Sequence, residues 1–213
     1  ELTDAGWPSR WQEWSATGEP AWRHQADGQG FETTAAPGDP AWLRYRHVVP
    51  WTEDWEDLAE GRIPRRLTDG QLQGQLITDY YAYNDGGEGY RYRNASAIGM
   101  HWVGDLAIHA EGVEVQGNQG AILLDLVQGG VHYTCRIDVA TGAAVLSIDE
   151  GGRPFTGEDG TRVKQPKATT RLRGPGTYDL RLANCDDQLL LWVDDRLVEF
   201  DGPTTYEHDG NGK

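Results

Sequence analysis

The sequence predicts an all-β protein, a two-layer antiparallel β-sandwich, and three observations carry that prediction. Glycine makes up 28 of 213 residues, beside 9 Trp and 9 Tyr but only 3 Phe and 1 Met. That composition suits many tight turns and many half-buried strand surfaces. Apolar residues alternate with polar ones over long stretches from about residue 100 onward, the period of a strand with one buried face. No stretch over ten residues carries a helical period. No composition break divides the chain, so residues 1–213 are expected to form one sandwich domain.

The elements follow in order. Seven of the nine Trp precede residue 56, around a short near-repeat, Gly18-Glu19-Pro20-Ala21-Trp22 and Gly38-Asp39-Pro40-Ala41-Trp42. Each Pro is expected to open a strand, where its missing N–H costs little. Residues 41–49 alternate and read as a strand; residues 52–70 read as a polar loop with one helical turn at 53–60. Leu106, Ile108 and Ala110 share one parity, and Val113 and Val115 take the other. One extra residue flips a strand's face, which predicts a β-bulge at Glu111-Gly112.

A meander comes next. Ile122, Leu124 and Leu126 lead to a turn at Gln128-Gly129-Gly130. Val131, Tyr133, Cys135, Ile137 and Val139 lead to a turn at Ala140-Thr141-Gly142, then Ala144, Leu146 and Ile148. One face is apolar throughout; the other carries Asp125, Arg136, Asp138 and Asp149. Residues 150–170 read as loop. Tyr178, Leu180 and Leu182 form a strand face, and Leu189–Val193, apolar on both sides, reads as a central strand. Asp194-Asp195 reads as a turn, with Leu197 and Phe200 on the return strand. Cys135 and Cys185 lie on different parities of different strands and are expected to remain free thiols.

Lys plus Arg number 19 against 34 Asp plus Glu, a net charge of −15. This excludes a nucleic-acid binder that neutralises phosphates, and it disfavours an anionic membrane surface. No run of 18 apolar residues could span a bilayer. The start, Glu1-Leu2-Thr3-Asp4, is not a signal peptide, and the sequence reads as part of a longer chain.

The stretch from Gly176 through Trp192-Val193-Asp194 to Val198 resembles a hairpin of concanavalin A-like jelly rolls. A wider set of segments is similar to the extra domain of bacterial signal peptidase I-related proteins. These are Trp42–His47, Ile77–Asn84, Met100–Leu106, Cys135–Gly142, Asp187–Val193 and Phe200–Tyr206. That resemblance implies an extracytoplasmic domain tethered through a membrane-anchored Ser/Lys peptidase. The peptidase boxes have no counterpart here: Met100 follows Gly99 instead of Ser, and Lys164, Lys167 and Lys213 lack the basic, glycine-rich setting of the general base. No catalytic residue is carried over. The expected partner is a protein substrate or a component of the cell envelope. A carbohydrate-binding module and a glycoside-processing enzyme of the same fold stand as alternatives.

Tyr81, Tyr83, Tyr90 and Tyr92, with Tyr80, cluster around Asn84-Asp85-Gly86-Gly87. If 79–83 pairs with 90–93, part of this set forms an aromatic strip suited to a sugar or an extended peptide. Asp79, Asn84, Asp85 and Glu88 are similar to the calcium loop of legume lectins. They equally suit a polar hairpin tip, and no metal is assigned. The six histidines show no ligand spacing, so no cofactor is expected. Glu111 and Glu114 are the nearest carboxylate pair but differ in parity across the bulge.

Overall fold

The computed structural model describes residues 14–17, 22–25, 30–34, 40–45, 47, 51–69, 77 and 104–207. The chain divides into two compact units, Glu1–Trp102 and Val103–Lys213.

In the first unit, β1 (Trp14–Thr17) pairs antiparallel with β4 (Trp42–Tyr45), and β2 (Arg23–His24) with β3 (Phe31–Glu32). The near-repeats touch: the Trp22 indole N–H donates to the Ala41 carbonyl at 3.0 Å. The polar loop expected over 52–70 is corrected: the single turn expected at 53–60 is an eight-residue helix, α1 (Thr52–Ala59), and a second short helix follows it. The start of α1 is held by Asp54, whose carboxylate accepts the Trp51 main-chain N–H at 2.8 Å. Asp54 is buried, and Arg66 of α2 (Arg65–Thr68) meets it at 2.7 Å while lying over the Trp51 ring at 3.8 Å. Burial of that carboxylate is offset by a hydrogen-bonded cation.

The second unit holds two four-stranded antiparallel sheets. One has the order β11-β8-β7-β6 and the other β14-β13-β12-β5. The strands are β5 (Leu106–Val115), β6 (Ala121–Gln128), β7 (Val131–Asp138), β8 (Ala143–Ile148), β11 (Lys167–Thr169), β12 (Gly176–Cys185), β13 (Gln188–Val193) and β14 (Arg196–Leu197). β9 (Phe155–Thr156) and β10 (Arg162–Val163) form a small ribbon between β8 and β11 in sequence. The inner residues of both sheets merge into one core: Leu124, Leu126, Tyr133, Cys135, Ile137, Leu146 and Ile148 meet Leu180, Leu182, Leu189, Leu191 and Val193. The mostly β, antiparallel, two-layer reading is thus met.

The bulge lies where the parity shift places it. Tyr178 pairs with Val113 and Leu180 with Ala110, leaving Glu111 and Gly112 opposite Asp179. Gly112 takes φ +63°, open to glycine at no steric cost. Its N–H is satisfied by the Asp179 carboxylate at 2.7 Å. The meander also forms as read, with β6, β7 and β8 in unbroken register through the two predicted turns.

β13 lies inside its sheet, between β12 and β14, as its apolar pattern on both sides predicts, and Leu189, Leu191 and Val193 reach the core. Two expectations for the second unit are corrected. Residues 150–170 are not simply loop: they hold β9, β10 and β11, and Phe155 is fully buried. Phe200 lies beyond β14 and packs against the core from a loop. Both cysteines are free, Cys135 buried and Cys185 partly so.

Candidate functional site

Tyr81, Tyr83, Tyr90 and Tyr92, and the Asp79, Asn84, Asp85 and Glu88 loop, lie outside the described residues. The site residues that can be placed are those the two outer sheet faces expose.

On the sheet containing β5, alternation turns Leu180, Leu182 and Leu191 inward and leaves Arg181, Ala183, Leu190 and Trp192 on the outer face. Strand register lines these up in rows. His109, Arg181, Trp192 and Leu197 are successive cross-strand neighbours, and Ala107, Ala183 and Leu190 form the next row. The Arg181 guanidinium lies 5.8 Å from the Trp192 ring centroid and 3.5 Å from the Asp195 carboxylate. Leu197 is 53% exposed. The face therefore combines a flat ring, an aliphatic rim, a cation held over the ring and an accessible imidazole. Such a surface can stack on a planar or sugar-like group and hydrogen-bond its edge.

The other outer face carries a polar group of three. The Asp125 carboxylate contacts His132 Nδ1 at 2.7 Å and accepts the Thr134 hydroxyl at 2.8 Å. The His132 main-chain N–H donates to Asp149. A carboxylate bound to one ring nitrogen fixes the imidazole orientation and leaves Nε2 outward. Among the described residues, no hydrogen bond joins this ring to a serine, threonine or cysteine. Ser147, the described serine nearest in register, sits opposite Thr134.

At the end of the sandwich near the Gly129-Gly130 turn lies a buried polar chain that sequence reading missed. Tyr206 donates its hydroxyl hydrogen bond to Asn184 Oδ1 at 2.7 Å, and Asn184 Nδ2 donates to Gln128 Oε1 at 2.7 Å. The Tyr206 and Tyr133 rings lie 5.0 Å apart. Burial pushes both phenols up from their ordinary range. The signal was present in the alternation: Gln128 continues the Leu124, Leu126 stripe, and Asn184 continues Leu180, Leu182. A polar residue in phase with a buried stripe has to find a partner.

Close by, the Cys185 thiol approaches Asp105 at 3.6 Å, and the Asp186 N–H donates to Asp105 at 3.2 Å. Loss of solvation, then the Asp105 and Asp186 charges, push this thiol up. Burial pushes the Cys135 thiol up to about 12. Among the described residues, no group of three or more histidine, cysteine or carboxylate side chains is arranged to hold a metal ion. Glu111 and Glu114 are both exposed.

No family model, no curated protein and no solved structure matches this chain.

Proposed function

We propose that this chain is a binding or positioning domain that does no chemistry of its own, built as a concanavalin A-like jelly roll. In this reading it belongs to an extracytoplasmic part of a signal peptidase I-related membrane protein and engages a protein substrate or an envelope component. The observation that carries the binding role is the row His109, Arg181, Trp192 and Leu197 on the outer face of the β14-β13-β12-β5 sheet. Aromatic and arginine side chains are what recognition surfaces concentrate, because they bury large area at low entropic cost. The segments quoted above, from Trp42–His47 to Phe200–Tyr206, support the parent family.

A carbohydrate-binding module is the second reading. It is favoured by the Trp192 ring, bordered by Arg181, since a flat indole beside a hydrogen-bond donor suits a pyranose face.

The deciding experiment measures binding of the chain to exported precursor proteins and to a glycan array, with Trp192→Ala beside it. Loss of roughly tenfold in affinity for precursor proteins on that substitution supports the leading reading. The same loss for one glycan class supports the second. Hydrolysis of a signal-peptide substrate or a β-glucan that vanishes when Ser147 or Asp125 is replaced overturns both.

A further inference from the structure

Among the described residues, β6 is the outer strand of its sheet and is hydrogen-bonded to β7 alone. The Val139 N–H donates to the Gly120 carbonyl on the β7 side. Antiparallel pairing alternates, so Ile122, Leu124, Leu126 and Gln128 direct their main-chain groups at β7. Ala121, Leu123, Asp125 and Val127 direct theirs away from the sheet. These four residues form a row of N–H and C=O groups ready to accept another strand.

Sheets usually blunt such an edge with proline, lysine, a bulge or a very short strand. β5, at the outer side of the other sheet, follows that rule: it has the bulge at Glu111-Gly112 and two exposed glutamates. β6 does not. It runs Ala-Ile-Leu-Leu-Asp-Leu-Val-Gln over eight residues with unbroken register, and Val127 is 46% exposed.

We propose that β6 is a strand-addition site for an extended, basic segment of a partner polypeptide. The proposal rests on the binding reading above and names the chemistry of its protein partner. Main-chain bonds supply affinity in this mode, and alternate side chains supply specificity. On the outer face the incoming strand meets Leu123, Asp125 and Val127, so an apolar, basic, apolar alternation matches it. Asp125 is the only charged residue of β6, its carboxylate also meeting His132 at 2.7 Å and the Thr134 hydroxyl at 2.8 Å, and the −15 net charge of the chain draws in a cationic segment. The same charge opposes a second copy of the chain, which would also bring one Asp125 against another.

The test follows amide hydrogen exchange of the full chain by NMR. The probe is a blocked nonapeptide of threonine with valine, lysine and valine at positions 3, 5 and 7, which fall on one face, beside its counterpart with glutamate at position 5. The lysine peptide is expected to slow the Leu123, Asp125 and Val127 amides roughly tenfold or more, leaving Ala107 and His109 unchanged. The glutamate peptide should slow none of them. Leu123→Pro removes an outward N–H and no bond to β7, so it should abolish the slowing while Leu146 and Leu182 stay protected. Val127→Lys leaves the main chain intact and should weaken the lysine peptide roughly fivefold or more.

Slow exchange at these amides in the free chain overturns the proposal. If dilution removes that protection, the occupant is a second copy; if not, the chain covers its own edge. Equal slowing by both peptides overturns the basic partner. No slowing by the lysine peptide, with precursor binding still sensitive to Trp192→Ala, sinks the β6 site and leaves the binding reading standing.

Discussion

Leu124 is 6% exposed and packs between the two sheets, so its side chain reports the inside–outside assignment of the whole meander. Leu124→Ala removes buried methyl groups and leaves a cavity, which is expected to cost about 2–5 kcal/mol. Urea denaturation measures it; a cost below about 1 kcal/mol would mean that the site is not core. The cysteines give a second test. Cys135 is fully enclosed, and Cys185 is held among Asp105 and Asp186. Only the thiolate attacks a disulfide reagent. The folded chain at pH 7.5 should therefore release colour slowly from Cys185 and not at all from Cys135, and denaturant should expose two thiols at once. Both residues were placed correctly by parity alone, because period two leaves no intermediate position. Gln128, Asn184 and Tyr206 were not, because their pairing spans three separate strands or loops and nothing local encodes it.

Elements were legible in proportion to their length. A bulge inside a ten-residue strand shows as a parity shift, and Glu111-Gly112 was found that way. β9, β10 and β11 have two or three residues each, too few to display any period. The segment after β14 is likewise unperiodic, yet it straps the sandwich. The Leu189 N–H donates to the Thr204 carbonyl, the Thr156 N–H to that of Thr205 and the Tyr206 N–H to that of Asp187. Tyr206→Phe removes the partner of the buried Asn184 carbonyl oxygen, an expected loss of about 1–3 kcal/mol with the fold intact. A loss within error would show that water or another group takes its place. The turns make an opposite prediction. Asp194 and Asp195 take φ of 50° and 58°, a region that costs a non-glycine residue energy. Asp195 is 83% exposed on its side chain and, among the described residues, forms a side-chain ion pair with Arg181 alone, at 3.5 Å, so little is lost with it. Asp195→Gly is expected to raise stability by about 0.5–1 kcal/mol, read from the same denaturation curves. The Tyr cluster at 80–92 was a clear sequence signal, and it falls outside the described residues.

For the molecule as a whole, the buried ionisable groups of the second unit all shift in one direction. Burial pushes Cys135 up to about 12, and it raises Tyr133 and Tyr206; burial with two nearby carboxylates raises Cys185. Each of these groups is neutral when protonated. Each therefore stays protonated in the folded chain at a pH where the unfolded chain has begun to lose the proton. The stability they contribute is fully present below the unfolded cysteine value, about 8.5, and is lost as pH rises through the folded value. For Cys135 the window runs from about 8.5 in the unfolded chain to about 12 in the folded one. Within it, each proton lost only on unfolding lowers stability by about 1.4 kcal/mol per pH unit. The tyrosines join above about pH 10, steepening the fall. Cys135→Val keeps a small apolar side chain in the core and is expected to cost under about 1.5 kcal/mol at pH 7. It removes one of the protons, so the variant's stability should fall more slowly than the parent's between pH 9 and 10.5, closing or reversing the initial gap. Urea titrations at pH 7, 9 and 10.5 on both chains read the difference directly, because the tyrosine and Cys185 contributions cancel between them. Parallel curves would mean that Cys135 ionises as easily folded as unfolded, and a thiol open to solvent in that way could not belong to the interface between the two sheets.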